Sequence, residues 1–262
     1  MAEAGDRSAA AEPSGYDLAA SHKSWARLAP DYERARLQED SLDRLLEWPA
    51  ERSLIGEVTG ATVLDIGCGN GQKAAELIQL GAASVVGIDI AGHFIEPIPR
   101  GLHLVQGDLS DLDREPAITG RLFDRILFLQ SLGYARDEVH TLRTARDHLS
   151  SGGFMVVARS HPIRFAVERS EKNGTTIGEE YYSTEPYSYA SGWNADVMLT
   201  HRGGTVAHMI NTFAAAGFQI ESAVEPQLGG EDRRRYPHKQ AWLNKYLGII
   251  VFKLRPTQAS DE

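Results

Sequence analysis

The sequence predicts an α/β fold, a seven-stranded, mainly parallel sheet with helices on both faces and an inserted cap. Three observations point to it. Short apolar runs rich in Val, Ile and Leu alternate with helix-periodic stretches between about residues 60 and 160. The first run passes through a glycine turn, Ala61 to Gln72 (ATVLDIGCGNGQ), directly into a helix. Three of the runs end in an acid, at Asp65, Asp89 and Asp108. Repeated strand–helix alternation implies parallel pairing with helices on both faces. Ligands of such sheets bind outside the carboxyl ends of the strands, where these motifs fall.

Taken in order, residues 1–15 are small and polar and are expected to be a disordered tail. Residues 16–58 read as a helical segment. Its first half carries Leu18, Trp25, Leu28 and Tyr32; its second carries Leu42, Leu45, Leu46 and Trp48 at helical spacing, with Pro49 expected to break the run. Residues 59–160 form the core unit. Val63, Leu64 and Ile66 make the first strand, and Lys73 to Ile78 the helix after the glycines. Ser84–Asp89, Leu102–Asp108, Phe123–Leu129 and Phe154–Arg159 are the next strands, with a helix over 135–149 before the last of them. The alternation then stops: residues 161–203 are too long and too aromatic for an idle loop. Residues 204–256 resume with a helix closed by Gly217 and two final strands, Gln219–Val224 and Gly248–Leu254, and residues 257–262 form a tail.

A chain of 262 residues can bury one substantial core, and one elaborated domain is expected. Its 42% hydrophobic and 24% charged residues are ordinary for a soluble globular protein. The net charge of −9 argues against nucleic acid as the main partner, since phosphate contacts need a basic surface. The single cysteine, Cys68, allows no internal disulfide and no cysteine-based zinc cluster, which fits a reducing, cytoplasmic setting. No apolar run approaches the ~18 residues of a membrane span, and the acidic N-terminus lacks the apolar core of a signal peptide.

The glycines at 67, 69 and 71 are spaced G-x-G-x-G, and Gln72 stands where a dinucleotide fingerprint would have its third glycine. Asp65 lies two residues before the first of them. A carboxylate there would repel a pyrophosphate but suits a ligand bearing an ammonium group. Asp65-Ile66-Gly67-Cys68-Gly69-Asn70-Gly71 resembles motif I of class I S-adenosylmethionine (SAM)-dependent methyltransferases, and matching elements continue from about residue 60 to residue 160. The resemblance implies a Rossmann-like class I methyltransferase fold, SAM as cofactor and methyl transfer as the activity. Asp89 then matches the acid that accepts from the ribose hydroxyls, with Ile90 beside it. Asp108 and the amide of Leu109 match the position that reads adenine, while Gln130 and Ser131 match the strand end beside the donor methionine. Gly67, Cys68 and Gly69 form the loop itself, where Cys68 reads as a packing residue rather than a reactive thiol. The pattern Trp25-x-x-Leu28-Ala29-x-x-Tyr32 is similar to the N-terminal segment that covers the cofactor in many small-molecule methyltransferases.

The acceptor is less defined. Motif order, the N-terminal segment and the aromatic insertion look like the ubiquinone/menaquinone-type and natural-product branch. A small-molecule acceptor methylated on O, N or C is therefore expected, with no nucleic acid, no membrane and no metal; a homo-oligomer is left open. His161, directly after the fifth strand, is the candidate general base, and His201, at the far end of the insertion, is the runner-up. Tyr181, Tyr182, Tyr187 and Trp193 are expected to wall the acceptor pocket, although they could instead be the insertion's own small core. Arg233–Arg235 read as a solvated run, or else as a clamp for an acidic or phosphorylated acceptor. Two rival classes are an NAD-linked oxidoreductase, opposed by the glycine spacing, and a SAM-binding regulatory protein without turnover.

Overall fold

The computed structural model describes residues 17–257, so the tail expected at 1–15, and all but Thr257 of the tail expected at 257–262, lie outside the described residues. A first helix, α1 (Leu18–Arg36), is capped by the Asp17 side chain, which accepts from the Ala20 amide at 3.0 Å, and it carries Pro30 in its interior. A wide π turn (Asp43–Glu47) leads into α2 (Trp48–Ile55). Pro49 does not break the helical run: it sits in the first turn of α2, where its missing N–H has no intrahelical partner to lose.

The core unit follows as β1 (Thr62–Ile66), α3 (Gln72–Gln79), β2 (Ser84–Asp89), β3 (Leu102–Gln106), β4 (Phe123–Leu129), α4 (Glu138–Arg146) and β5 (Leu149–Ser160). The fifth strand starts earlier than its apolar run suggests. Gly152, at φ +78°, lets Leu149–Gly153 bend into the sheet through a register irregularity opposite Phe123 and Arg125. The insertion folds as α5 (Pro162–Asn173), α6 (Ile177–Tyr181) and a hairpin of β6 (Tyr187–Ala190) with β7 (Met198–His201). Then come α7 (Val206–Ala215), β8 (Phe218–Val224), α8 (Gly230–Arg235), α9 (Pro237–Tyr246) and β9 (Ile249–Pro256).

The main sheet has seven strands in the order β3-β2-β1-β4-β5-β9-β8. All its pairings are parallel except those of β9, which runs antiparallel between β5 and the edge strand β8. Alternate residues of the strands feed two cores. Leu64, Ile66, Ile126, Phe128, Met155 and Val157 pack with Leu142 of α4 and Phe213 of α7 on one face. Val63, Val85, Leu127, Val156 and Val251 pack with Ile55 of α2 and Leu77 of α3 on the other. The chain leaves β1 towards β2 and β3 and returns through β4 on its other side. This reversal opens a crevice beyond the carboxyl ends of β1 and β4.

Candidate functional site

A cavity of about 840 Å³, counting its mouth, occupies that crevice. Its floor is the glycine loop, with Gly67 and Gly69; its walls are Asp89 to Ala91 after β2, Asp108 and Leu109 after β3, and Gln130, Ser131 and Tyr134 after β4. Its roof is one face of α1: His22, Trp25, Ala29, Tyr32 and Glu33 recur at helical spacing. Thus Trp25, Tyr32, Gly67, Gly69, Asp89, Ile90, Asp108, Leu109, Gln130 and Ser131, ten of the twelve residues expected around a cofactor, meet in one space. A further cavity of about 370 Å³ adjoins it through Tyr32, Gly67, Gly69, Leu129 and Gln130, and brings in the remaining two, Asp65 and Cys68.

The loop can take this shape only with small residues. A Cβ on Gly67, at φ +78°, would lie 2.2 Å from the Cβ of Ser131, whose hydroxyl donates to the Ile66 carbonyl. Asp89 clamps the loop: one carboxylate oxygen accepts from the Gly69 amide at 2.8 Å and the other from the Ala91 amide at 2.9 Å. Asp108 closes its own turn by accepting from Ser110 N at 2.8 Å, and its second oxygen faces His22 Nδ1 at 3.8 Å. Gln130 holds φ +65°, a conformation that side chains other than glycine rarely adopt and that is retained mainly at functional sites.

Asp65 is the electrostatic centre of the second cavity. Its carboxylate is 1% exposed, and Oδ1 is buried without a hydrogen-bond partner among the described residues. Burial pushes its pKa up to about 7; Glu51 and Asp89 add to the rise, while Lys73 and Arg36 oppose it. Around it lies an ion-pair network in which Lys73 contacts Glu51 at 2.6 Å and Asp43 at 2.7 Å, and Arg36 contacts Asp43 at 3.2 Å and Glu33 at 3.1 Å. Two cations are thus set among four carboxylates, so the region favours a ligand that brings positive charge.

Other expected residues do not enter the main cavity. The Cys68 side chain is buried against Gly87 in the core; a Cβ on Gly87 would lie 2.8 Å from its sulfur. His161 is 3% exposed and has both ring nitrogens engaged: Nδ1 accepts from the Ile163 amide as the cap of α5, and Nε2 lies 2.9 Å from Glu225. It therefore caps a helix rather than reaching an acceptor. His201 stacks on Phe165 with ring centroids 3.7 Å apart. Its pKa is driven down to about 3 by burial and by Arg159, Arg164 and Arg169.

The aromatic residues of the insertion also serve other ends. Tyr182 is 75% exposed, the Tyr181 hydroxyl accepts from the Val206 amide, and Tyr187 stacks on Tyr189. Trp193 sits edge-on to Tyr32 at 4.7 Å, outside the cavity lining, and Val197 and Leu199 of the hairpin bury Leu28 of α1. The insertion thus supports the roof from behind. Arg233–Arg235 lie on exposed α8 and line neither cavity. His22, Glu33, Arg36, Lys73 and Tyr134 were not anticipated; the helical spacing from Trp25 and Tyr32 could have found the first three.

Residues 31–177 match the family described as a methyltransferase domain, which spans more than half of the chain. The chain belongs to that family. It is a SAM-dependent methyltransferase, and SAM is its cofactor. An uncharacterized protein of Haemophilus influenzae is 29% identical to it over 220 residues, covering 76% of this chain and 84% of that one. A tRNA U34 carboxymethyltransferase of Klebsiella pneumoniae is 29% identical over 141 residues, covering 52% of this chain but only 41% of that enzyme. In fold, the methyltransferase resembles a SAM-dependent methyltransferase of Mesorhizobium loti, with a TM-score of 0.61 at 22% identity over 80% of this chain and 97% of the other. Among the described residues no helix is long and apolar enough to cross a membrane.

Proposed function

We propose that this methyltransferase transfers the methyl group of SAM to a small-molecule acceptor, with the two joined cavities holding the donor. The observation that carries the donor site is the orphaned Oδ1 of Asp65, a buried acceptor in a cavity with surplus acid. An ammonium group fits it, and the neighbouring Arg36 suits a carboxylate, so the second cavity matches the amino-acid end of SAM. Asp89 is fixed by two backbone donors, leaving its remaining lone pairs to accept from ribose hydroxyls. Asp108 and Leu109 stand where adenine would be read, and Trp25, Tyr32 and Tyr134 supply apolar walls.

Bound SAM supplies an electrophilic methyl on a sulfonium. The chain's own part is to align, enclose and dry the site, and positioning alone can contribute ~7–11 kcal/mol. α1, braced by the cap at 161–203, serves as the cover that excludes water. Gln130 and Tyr134 form the wall past which an acceptor approaches. Neither His161 nor His201 provides a base suited to neutral pH, because the first is a capping group and the second holds a proton only near pH 3.

A small acceptor is supported by the enclosed approach and by the net charge of −9. The tRNA enzyme does not weigh against it, since the match covers under half of that enzyme. The test is to incubate the protein with methyl-labelled SAM and either a small-metabolite panel or total tRNA, and to read label by mass spectrometry. Label in small molecules is expected; label in tRNA alone would overturn the reading.

A further inference from the structure

At its β4 end the main cavity meets two smaller ones through Gln130: that around Asp65, and one of about 330 Å³ that Arg159 and Arg202 also line. At the opposite end, beyond the edge strand β3, a residue of the roof faces a residue of the wall. There His22 Nδ1 lies 3.8 Å from Asp108 Oδ2. We infer that His22 is a positioning residue for the donor's purine: acting through Asp108, it fits the cavity to a 6-aminopurine and against a 6-oxopurine. His22 thereby adds a residue and a base preference to the donor site proposed above, on which the inference rests.

The period of α1 brings His22 there. His22, Trp25, Ala29 and Tyr32 share one face of the helix. That face cannot turn freely, because Leu28 is buried against Val197 and Leu199, and Trp25 meets the Tyr134 ring edge-on at 5.5 Å. The side chains of His22 and Asp108 are 21% and 18% exposed, so their contact is largely shielded from water. At 3.8 Å it is about 1 Å longer than a hydrogen bond, a gap that a small side-chain rotation closes. A carboxylate so placed favours the tautomer with the proton on Nδ1, which makes the imidazole a donor to Asp108.

Asp89 shows by contrast what His22 supplies. Both oxygens of Asp89 are fixed by backbone amides, those of Gly69 and Ala91. Asp108 has one such amide, from Ser110 to Oδ1, and among the described residues no side chain other than His22 is paired with Oδ2. A carboxylate oxygen carries two lone pairs, so Oδ2 can accept from the imidazole and also from an amino group on the purine. A 6-oxo group in that place sets two acceptors face to face. Asp108 escapes that repulsion only by swinging about its bond to Ser110, and His22 opposes the swing.

Calorimetry on the full chain tests this, with S-adenosylhomocysteine and its 6-oxo counterpart S-inosylhomocysteine as the probes. Wild type should bind the amino form at least ~10-fold more tightly, the scale of a hydrogen bond to a charged group. His22→Ala should lower that ratio at least ~3-fold, mainly by weakening the amino form. His22→Asn, whose amide nitrogen can stand where Nδ1 stands, should keep most of the ratio. Asp108→Asn, whose amide can donate to a 6-oxo group, should collapse the preference and so marks the place of the purine independently of His22. A histidine that merely propped the roof would weaken both ligands alike in His22→Ala and leave the ratio unmoved. That result, with S-adenosylhomocysteine still bound by the wild type and the preference still lost in Asp108→Asn, would overturn the inference alone, as would a ratio lost equally in His22→Ala and His22→Asn. A wild type without preference, or a preference indifferent to Asp108→Asn, would overturn it together with the placing of adenine at Asp108. Failure of the wild type to bind either ligand would bring down the donor site and the inference with it.

Discussion

Replacing Asp65 with Asn should make the free protein more stable and the liganded one less so. The carboxyl is held at a pKa of about 7 by burial, against an ordinary 3.8. Because its folded pKa lies above the unfolded one, the stability linked to it is fully present below about pH 3.8 and is lost as the pH rises through 7. At ~1.36 kcal/mol per pH unit this corresponds to roughly 4 kcal/mol near neutrality. Relaxation and water entry reduce such penalties, so Asp65→Asn should gain about 1–3 kcal/mol at pH 7.5, a rise of roughly 2–10 °C in Tm. Binding should move the other way. The asparagine keeps the shape but loses a charged acceptor for the ammonium, a loss of about 1.5–3 kcal/mol, or ~10–150-fold in Kd. In the wild type, affinity should fall by up to ~10-fold per pH unit below pH 7, as the ionised form required by the ligand becomes scarce. Thermal melts across pH 5–8 and titration with S-adenosylhomocysteine measure both. A variant that melts earlier and binds as tightly as wild type would refute the reasoning.

Four further outcomes are expected. Gly67→Ala places a methyl 2.2 Å from Ser131 Cβ at a backbone angle only glycine adopts readily, and should reduce S-adenosylhomocysteine binding at least ~10-fold in calorimetry. Asp89→Ala removes a ribose acceptor and frees the amides of Gly69 and Ala91; an affinity loss of about 1.5–3 kcal/mol is expected, and unchanged affinity would remove the residue from the site. His161→Ala should lower stability by about 0.5–2 kcal/mol through loss of a helix cap, while kcat with any acceptor found changes less than ~10-fold; a fall of ~10²-fold or more would restore it as the base. His201→Gln should leave the shape of the pH–rate profile between pH 6 and 9 unaltered, since the imidazole titrates near pH 3; loss of an inflection in that range would contradict this.

The sheet, and the set of residues that meet in its crevice, were legible in the sequence because each rests on local chemistry. Alternating Val, Leu and Ile runs set the strands, and Gly67 and Asp65 announce themselves within one short loop. The ends of elements were less legible: Pro49 opens a helix instead of breaking one, because a proline's position within a helix decides its effect. The placement of His161 departs from expectation for a different reason. His161 is adjacent in sequence to the carboxyl end of β5, yet the chain turns there into α5, and the turn itself uses the imidazole. Nor could the sequence decide whether Tyr181 and Tyr187 wall a pocket or pack within the insertion, or show that Arg159 and Arg202, 43 positions apart, face one cavity. Those are facts of tertiary packing, with no periodicity to betray them.

The charge around Asp65 bears on the donor rather than on proton removal, a role for which neither His161 nor His201 is suited. Around Asp65 the acids outnumber the cations, which suits a donor carrying a sulfonium and loosens the hold on the neutral product once the methyl has left. Gln130, strained and shared by all three cavities, stands between them. On the proposed reading, positioning does much of what His161 and His201 were expected to do.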